Sequence, residues 1–285
     1  MNILDIAKEF LSPFETIDAV VCLLGFILFA LWLLRTSFGT KALVNSSPRR
    51  NNMPLVIPFL LFMGTFGIIG IGDYLSQTYF YHLPNWKFIF MNNFITSIGG
   101  LISIIIILIL AKIFFVRGIK GFGLNIKTIH KDFLAAFLNL LAVYPILLVV
   151  LTLTMFFAKI IKGQNYQIQP HEELVTISEN PVLWARIAIA VMAVIVTPFL
   201  EEFLFRGLLQ TTFRSVLRTK YAPWIAIFIT SILFAMMHAI PTHWPTLFVL
   251  GVCLGYSYEK SGSLFRPIFI HAIFNATSVI GVLLQ

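Results

Sequence analysis

Charge is what this sequence has least of. Asp, Glu, Lys and Arg make up 11% of its 285 residues, against about a quarter in soluble globular domains. That shortage excludes a soluble globular fold. Disorder is excluded too: 59% of the residues are hydrophobic and 15% aromatic, mean hydropathy is +0.91, and a chain this apolar cannot stay solvated. Cysteine is scarce. Cys22 and Cys253 both lie inside apolar runs, which excludes a disulfide framework and leaves two small buried hydrophobes. There is no internal repeat, no low-complexity tract, no interdomain linker and no block of five or six like charges. No H-E-x-x-H occurs, since His171-Glu172-Glu173-Leu174-Val175 lacks the second histidine and reads as loop.

What is there is apolar length. One spanning helix takes about 20 residues, so the chain has room for roughly seven or eight spans. The runs lie at about Ile17–Leu34, Pro54–Ile71, Phe94–Val116, Phe133–Ile161, Val182–Leu200, Pro223–Ile240, Pro245–Tyr258 and Pro267–Leu284. The expected fold class is all-α: a polytopic transmembrane helical bundle of about eight spans, one of them short or re-entrant, forming a single integral membrane domain over residues 1–285. The lipid bilayer is its first partner. The flank of the first run carries Asp5, Glu9, Glu15 and Asp18 instead of a basic cluster, so that run is expected to be retained as a span.

The formal net charge is +8, from 20 Lys and Arg against 12 Asp and Glu. The basic residues sit between apolar runs, so the excess orients the chain in a membrane and does not point to nucleic acid. Arg35, Lys41, Arg49 and Arg50 follow the first run; Arg117, Lys120, Lys127 and Lys131 the third; Arg206, Arg214, Arg218 and Lys220 the fifth; Lys260 and Arg266 the seventh. Loops after odd-numbered spans are therefore expected in the cytoplasm, with both termini on the other side. The longest polar stretch, Lys162–Asn180, reads as a solvated loop, with an interfacial segment or lid as the alternative.

Ionisable side chains inside a span are costly and need a partner or a purpose. Three clusters fall in the last third of the chain. In Leu200-Glu201-Glu202-Phe203-Leu204-Phe205-Arg206-Gly207, Glu202 and Arg206 are four apart and can pair on one helical face. Glu201 points about 100° away, so the two acids occupy different environments and the drier one is a candidate general base. In Phe234-Ala235-Met236-Met237-His238, Phe234 lies one turn before His238 and can form a packing floor for the imidazole. In His271-Ala272-Ile273-Phe274-Asn275 the two polar groups face the same way. Taken singly, the clusters read as a helix-end ion pair, a satisfied interior histidine and an interhelical hydrogen-bond pair. Taken together, two carboxylates, two histidines and an amide in a low-dielectric cavity look like a hydrolytic site. A carboxylate and a histidine polarise a water, and a histidine and an amide donate to an oxyanion.

These clusters, in this order, resemble the signatures E-E-x-x-x-R, F-x-x-x-H and H-x-x-x-N of the CAAX prenyl endopeptidase and bacteriocin-processing (CPBP) family of intramembrane glutamic proteases. The resemblance covers about residues 180–285, the motif-bearing core. It implies an intramembrane endopeptidase that uses no cofactor or metal. Glu201 and His238 would activate the water, His271 and Asn275 would hold the oxyanion, and Glu202, Arg206 and Phe234 would support them from behind. The implied substrate is a membrane-associated or lipidated peptide, and the implied site opens to the cytoplasmic side of the membrane. Two rivals stay open: a non-enzymatic scaffold or transporter-like protein using the clusters as structural or proton-relay sites, and a zinc-dependent protease with Glu and His ligands. The small pair Gly251 and Gly255 is read as close helix packing. The seventh run is about 13 residues, ~20 Å, against a ~30 Å hydrocarbon core. It is therefore expected not to cross fully, or residues 259–266 are expected to fold inward, so that His271 can reach the other motifs.

Overall fold

The computed structural model describes residues 16–283. Asp5, Glu9, Glu15, the side chain of Asp18 and both termini, with the side of the membrane expected for them, lie outside the described residues. The chain forms α1 (Thr16–Arg35), α2 (Val56–Phe80), α3 (Asn85–Phe114), a short α4 (Gly118–Phe122), α5 (Ile129–Lys162), α6 (Glu172–Glu179), a continuous rod α7 (Leu183–Val216), α8 (Ala222–Met236), α9 (Trp244–Ser261) and α10 (Phe265–Leu283). Strands are absent among the described residues apart from one isolated bridge, Asn51 with Phe115. An α-helix satisfies its own backbone, which hydrocarbon cannot do for it. By length and composition α2, α3, α5, α7 and α10 can each cross a membrane, and α1 and α8 are shorter apolar helices. The protein is an all-α polytopic membrane bundle.

The side chains are distributed inside out. Glu202, Arg206, Gln210, Ser231 and Ser257 are fully buried, while Leu23, Met63, Ile113 and Ile161 stand exposed. Large apolar patches facing outward and polar groups facing inward fit a lipid surround.

Two features depart from the sequence reading. The short seventh run becomes an 18-residue helix, α9, about 27 Å long. Its polar tail stays helical because its side chains find partners: Glu259 accepts from Arg214 Nε at 3.0 Å and Lys260 Nζ donates to Ala42 O at 2.7 Å. Gly262 then ends the helix in the left-handed region (φ +77°), where only glycine is unstrained. The second departure is α6: residues 172–179, read as loop, form a helix that His171 precedes.

The turn after α9 is folded inward. Leu264 is fully buried and its N–H donates to Gly123 O at 2.9 Å. Beneath it, the Tyr258 hydroxyl donates to Phe122 O at 3.0 Å. Helix α10 therefore starts deep, which lets His271, six residues in, reach the centre of α7. The glycines read as packing residues do pack: a Cβ on Gly251 would lie 3.1 Å from Ser231 Cα, and one on Gly255 would lie 2.8 Å from Gln210 Oε1. Helices α8 and α9 approach closely along this edge.

The four basic loops meet at one end. Arg49 lies 4.2 Å over the Tyr258 ring, Val116 N–H donates to Arg50 O, Arg214 pairs with Glu259, and Arg266 pairs with Asp132 at 3.1 Å. The connections 163–182 and 237–243 lie at the opposite end.

Candidate active site

Helix α7 is the spine of the site. Its 34 residues give about 51 Å of rod, and it is locally widened to π-helix over Met192–Val196 and Phe203–Gln210. Such widened turns recur at functional sites. The first has a cause in the sequence. Thr197 N–H bonds Met192 O in i→i−5 register. The next donor in that register would be Pro198, which has no N–H. Its missing partner is the Ala193 carbonyl, and Asn275 Nδ2 donates to that oxygen at 2.7 Å.

The second widened stretch follows the acidic pair. Glu202 is fully buried, and its Oε1 accepts two hydrogen bonds, from Arg206 Nη1 at 2.8 Å and from His271 Nδ1 at 3.0 Å. Arg206 is also fully buried; its Nη2 donates to Gly251 O at 3.2 Å, and its guanidinium lies 4.6 Å over the Phe234 ring. Glycine at 251 has a double use, since it lets α9 approach α8 and leaves its carbonyl open to the arginine. Gln210 repeats the pattern one turn on, with Nε2 donating to Gly255 O at 3.0 Å.

Because Nδ1 of His271 faces a carboxylate, it carries a hydrogen, and Nε2 is the atom turned towards Glu201. Glu201 Oε2 lies 3.8 Å from that Nε2. The side chain of Glu201 is 24% exposed, whereas Glu202 is sealed, so the adjacent acids have different surroundings. Phe234 sits among the charged groups, with ring centres 5.6 Å from His271, 5.1 Å from His238 and 5.3 Å from Phe205.

His238 lies just beyond the end of α8. Its Nδ1 is 2.9 Å from Phe234 O; a carbonyl only accepts, so Nδ1 carries the hydrogen and Nε2 keeps a lone pair. Trp244 Nε1–H donates to His238 O at 2.8 Å and holds the turn. The structure thus brings Glu201, Glu202, Arg206 and His271 into one linked cluster on Phe234, sets His238 on the same ring, and ties Asn275 to the α7 backbone nine residues before Glu202. Among the described residues, no three His, Cys, Asp or Glu side chains are placed to hold a metal ion.

Sequence reasoning missed two neighbours of His238. The His171 ring is 5.9 Å from it, edge-on, and 4.4 Å from the His243 ring. His171 titrates low, at about 4, first because of burial and then because of the two neighbouring imidazoles. His243 is likewise pushed down, chiefly by burial. The only signal was composition: of six histidines, three stand at 171, 238 and 243.

Comparison with known proteins places this region. Residues 183–277 match the family model of type II CAAX prenyl endopeptidase Rce1-like proteins. An Escherichia coli protein described as an uncharacterized 24.3 kDa protein is 35% identical over 80 residues, 27% of this chain. The match spans 36% of that relative's length. No solved structure matches.

Proposed function

We infer from residues 183–277, which belong to the Rce1-like CAAX prenyl endopeptidase family, that this membrane protein is an intramembrane endopeptidase. The carrying observation is one carboxylate holding two partners: Glu202 grips the Arg206 guanidinium and His271, and so presents His271 Nε2 3.8 Å from Glu201. That separation is too long for a direct hydrogen bond, and a water hydrogen-bonded to both groups would sit beside the line that joins them.

In the proposed reaction, Glu201 takes a proton from water while His238 Nε2 accepts a hydrogen bond from the same water. The hydroxide oxygen attacks the peptide carbonyl, and its π electrons move to the oxygen. His271, protonated at both nitrogens, donates from Nδ1 to Glu202 and from Nε2 to the oxyanion. Asn275 spends one amide hydrogen on Ala193 O and has a second to donate. Collapse of the intermediate expels the amine, which receives the proton held by Glu201. Glu202, Arg206 and Phe234 fix the positions of these groups. The substrate is a membrane-associated or lipidated peptide, reached in this reading from the cytoplasmic side.

The test is cleavage of prenylated and unprenylated peptides by the full chain in proteoliposomes. Glu201→Gln and His238→Asn are each expected to lower kcat about 100-fold or more with the melting temperature unchanged. Chelators are expected to leave the rate unchanged. Wild-type rates in both variants would overturn the reading, and chelator inhibition reversed by zinc would move it to a metal-dependent enzyme.

A further inference from the structure

Three imidazoles meet where the 163–171 connection crosses the end of α8. The His171 ring lies 4.4 Å from His243, tilted 38°, and 5.9 Å from His238, near-perpendicular at 77°. The connection is pinned: His243 Nε2–H donates to Gln169 O at 2.9 Å. His243 Nδ1 is buried without a hydrogen-bond partner. His238 is held from its own side by Phe234 O and Trp244. Among the described residues, the titratable groups that bear on His171 are these two histidines. Lys162 and Tyr166 lie further along the connection, with Lys162 Nζ donating to the Tyr166 hydroxyl at 3.5 Å.

We propose that His171 is a positioning residue for His238: its ring closes one side of the His238 imidazole and leaves Nε2 free to accept a hydrogen bond from the water that Glu201 deprotonates. The inference rests on the endopeptidase reading and adds to it a residue outside all three motifs. The physical requirement is the absence of charge. At an effective dielectric of about 20, a full positive charge ~6 Å away would lower the proton affinity of His238 by roughly a hundredfold. Beside such a charge His238 Nε2 would be a poorer acceptor for that water. Burial and the neighbouring imidazoles keep His171 uncharged at neutral pH.

The experiment uses the full chain in detergent and proteoliposomes, with ring-carbon labelled histidine. In wild type, the His238 resonance is expected to show a second inflection as His171 titrates in acid. His171→Phe keeps a neutral ring; it should abolish that inflection and hold kcat at pH 7 within about threefold. His171→Lys should lower the proton affinity of His238 tenfold or more and cut kcat by about the same factor, with KM within about twofold. An unaltered His238 titration in His171→Lys would overturn the proposal. So would a wild-type titration without the second inflection, which needs no variant to fold. Should wild type cleave no peptide, the endopeptidase reading falls on that result alone, while the titrations still report whether His171 governs the His238 proton.

Discussion

Arg206 is the residue on which the site's charge balance turns. It is sealed from solvent and faces one carboxylate, one carbonyl and an aromatic ring. Removing one member of a buried pair strands the other, at a cost of about 3–5 kcal/mol. Arg206→Met is therefore expected to lower the melting temperature sharply, and Glu202→Gln combined with it should restore part of the loss, both read by thermal unfolding in detergent. Asn275→Ala should cost about 1–3 kcal/mol by the same assay, because the Ala193 carbonyl loses its donor. A purely catalytic asparagine would leave the melting temperature alone. At this scale the sequence was informative where spacing decides contact: Glu202 and Arg206, four apart, do pair. It was silent on which acid would hold His271, because that choice depends on how α10 is set against α7.

Packing between elements explains what spacing could not. The α8–α9 edge is built on Gly251 and Gly255, and a Cβ at Gly251 would press on the backbone of Ser231 at 3.1 Å. Gly251→Val should therefore part the helices, draw the residue-251 carbonyl away from Arg206 and destabilise by about 1–3 kcal/mol, measured as a lower melting temperature with lost cleavage. The 163–171 connection is expected to respond to pH. His171 has its proton affinity depressed where it packs against His243 and His238, to about 4 from 6.5, so a state with His171 released into water would bind the proton better. Closure is at full strength above about pH 6.5 and weakens as pH falls towards 4. Amide exchange over residues 163–171 is expected to be slow at pH 7.5 and, after correction for the chemical rate, faster at pH 5. The long apolar helices were legible because lipid demands them. The end of α9 and the identity of α6 were not, because they are held by partners from other elements: Arg214 of α7 and Ala42 for α9, and Arg186 of α7, which donates to Ile177 O and Ser178 O, for α6.

Viewed as a whole, the molecule has two unlike ends. Arg49, Arg50, Arg214 and Arg266 are drawn to one end by ties to Tyr258, Val116, Glu259 and Asp132. The excess of cations predicts that this end lies in the cytoplasm. Lys41→Cys in oriented vesicles should react with an impermeant thiol reagent from the cytoplasmic face only, and Gln164→Cys from the other face only; the reverse pattern would invert the assignment. The alternation of basic loops was readable because each loop carries its own count. How three motifs spread over 75 positions come together was not, since it needs the inward turn at Leu264 and the widened stretches of α7.

Those widened stretches carry one more consequence. Over Phe203–Gln210 the helix is widened to the π form, so it holds surplus chain. Deleting a single residue within it would let ordinary helix close over the gap without breaking α7. As the widened stretch tightens it recovers part of the lost rotation, so the segment beyond would turn by less than the ~100° of an ordinary deletion, shifting Gln210 and Thr211 against Gly255 and Tyr258. Such a shortened protein should insert and fold with Glu202 still facing His271 and the contacts of Arg206 and Gln210 disturbed.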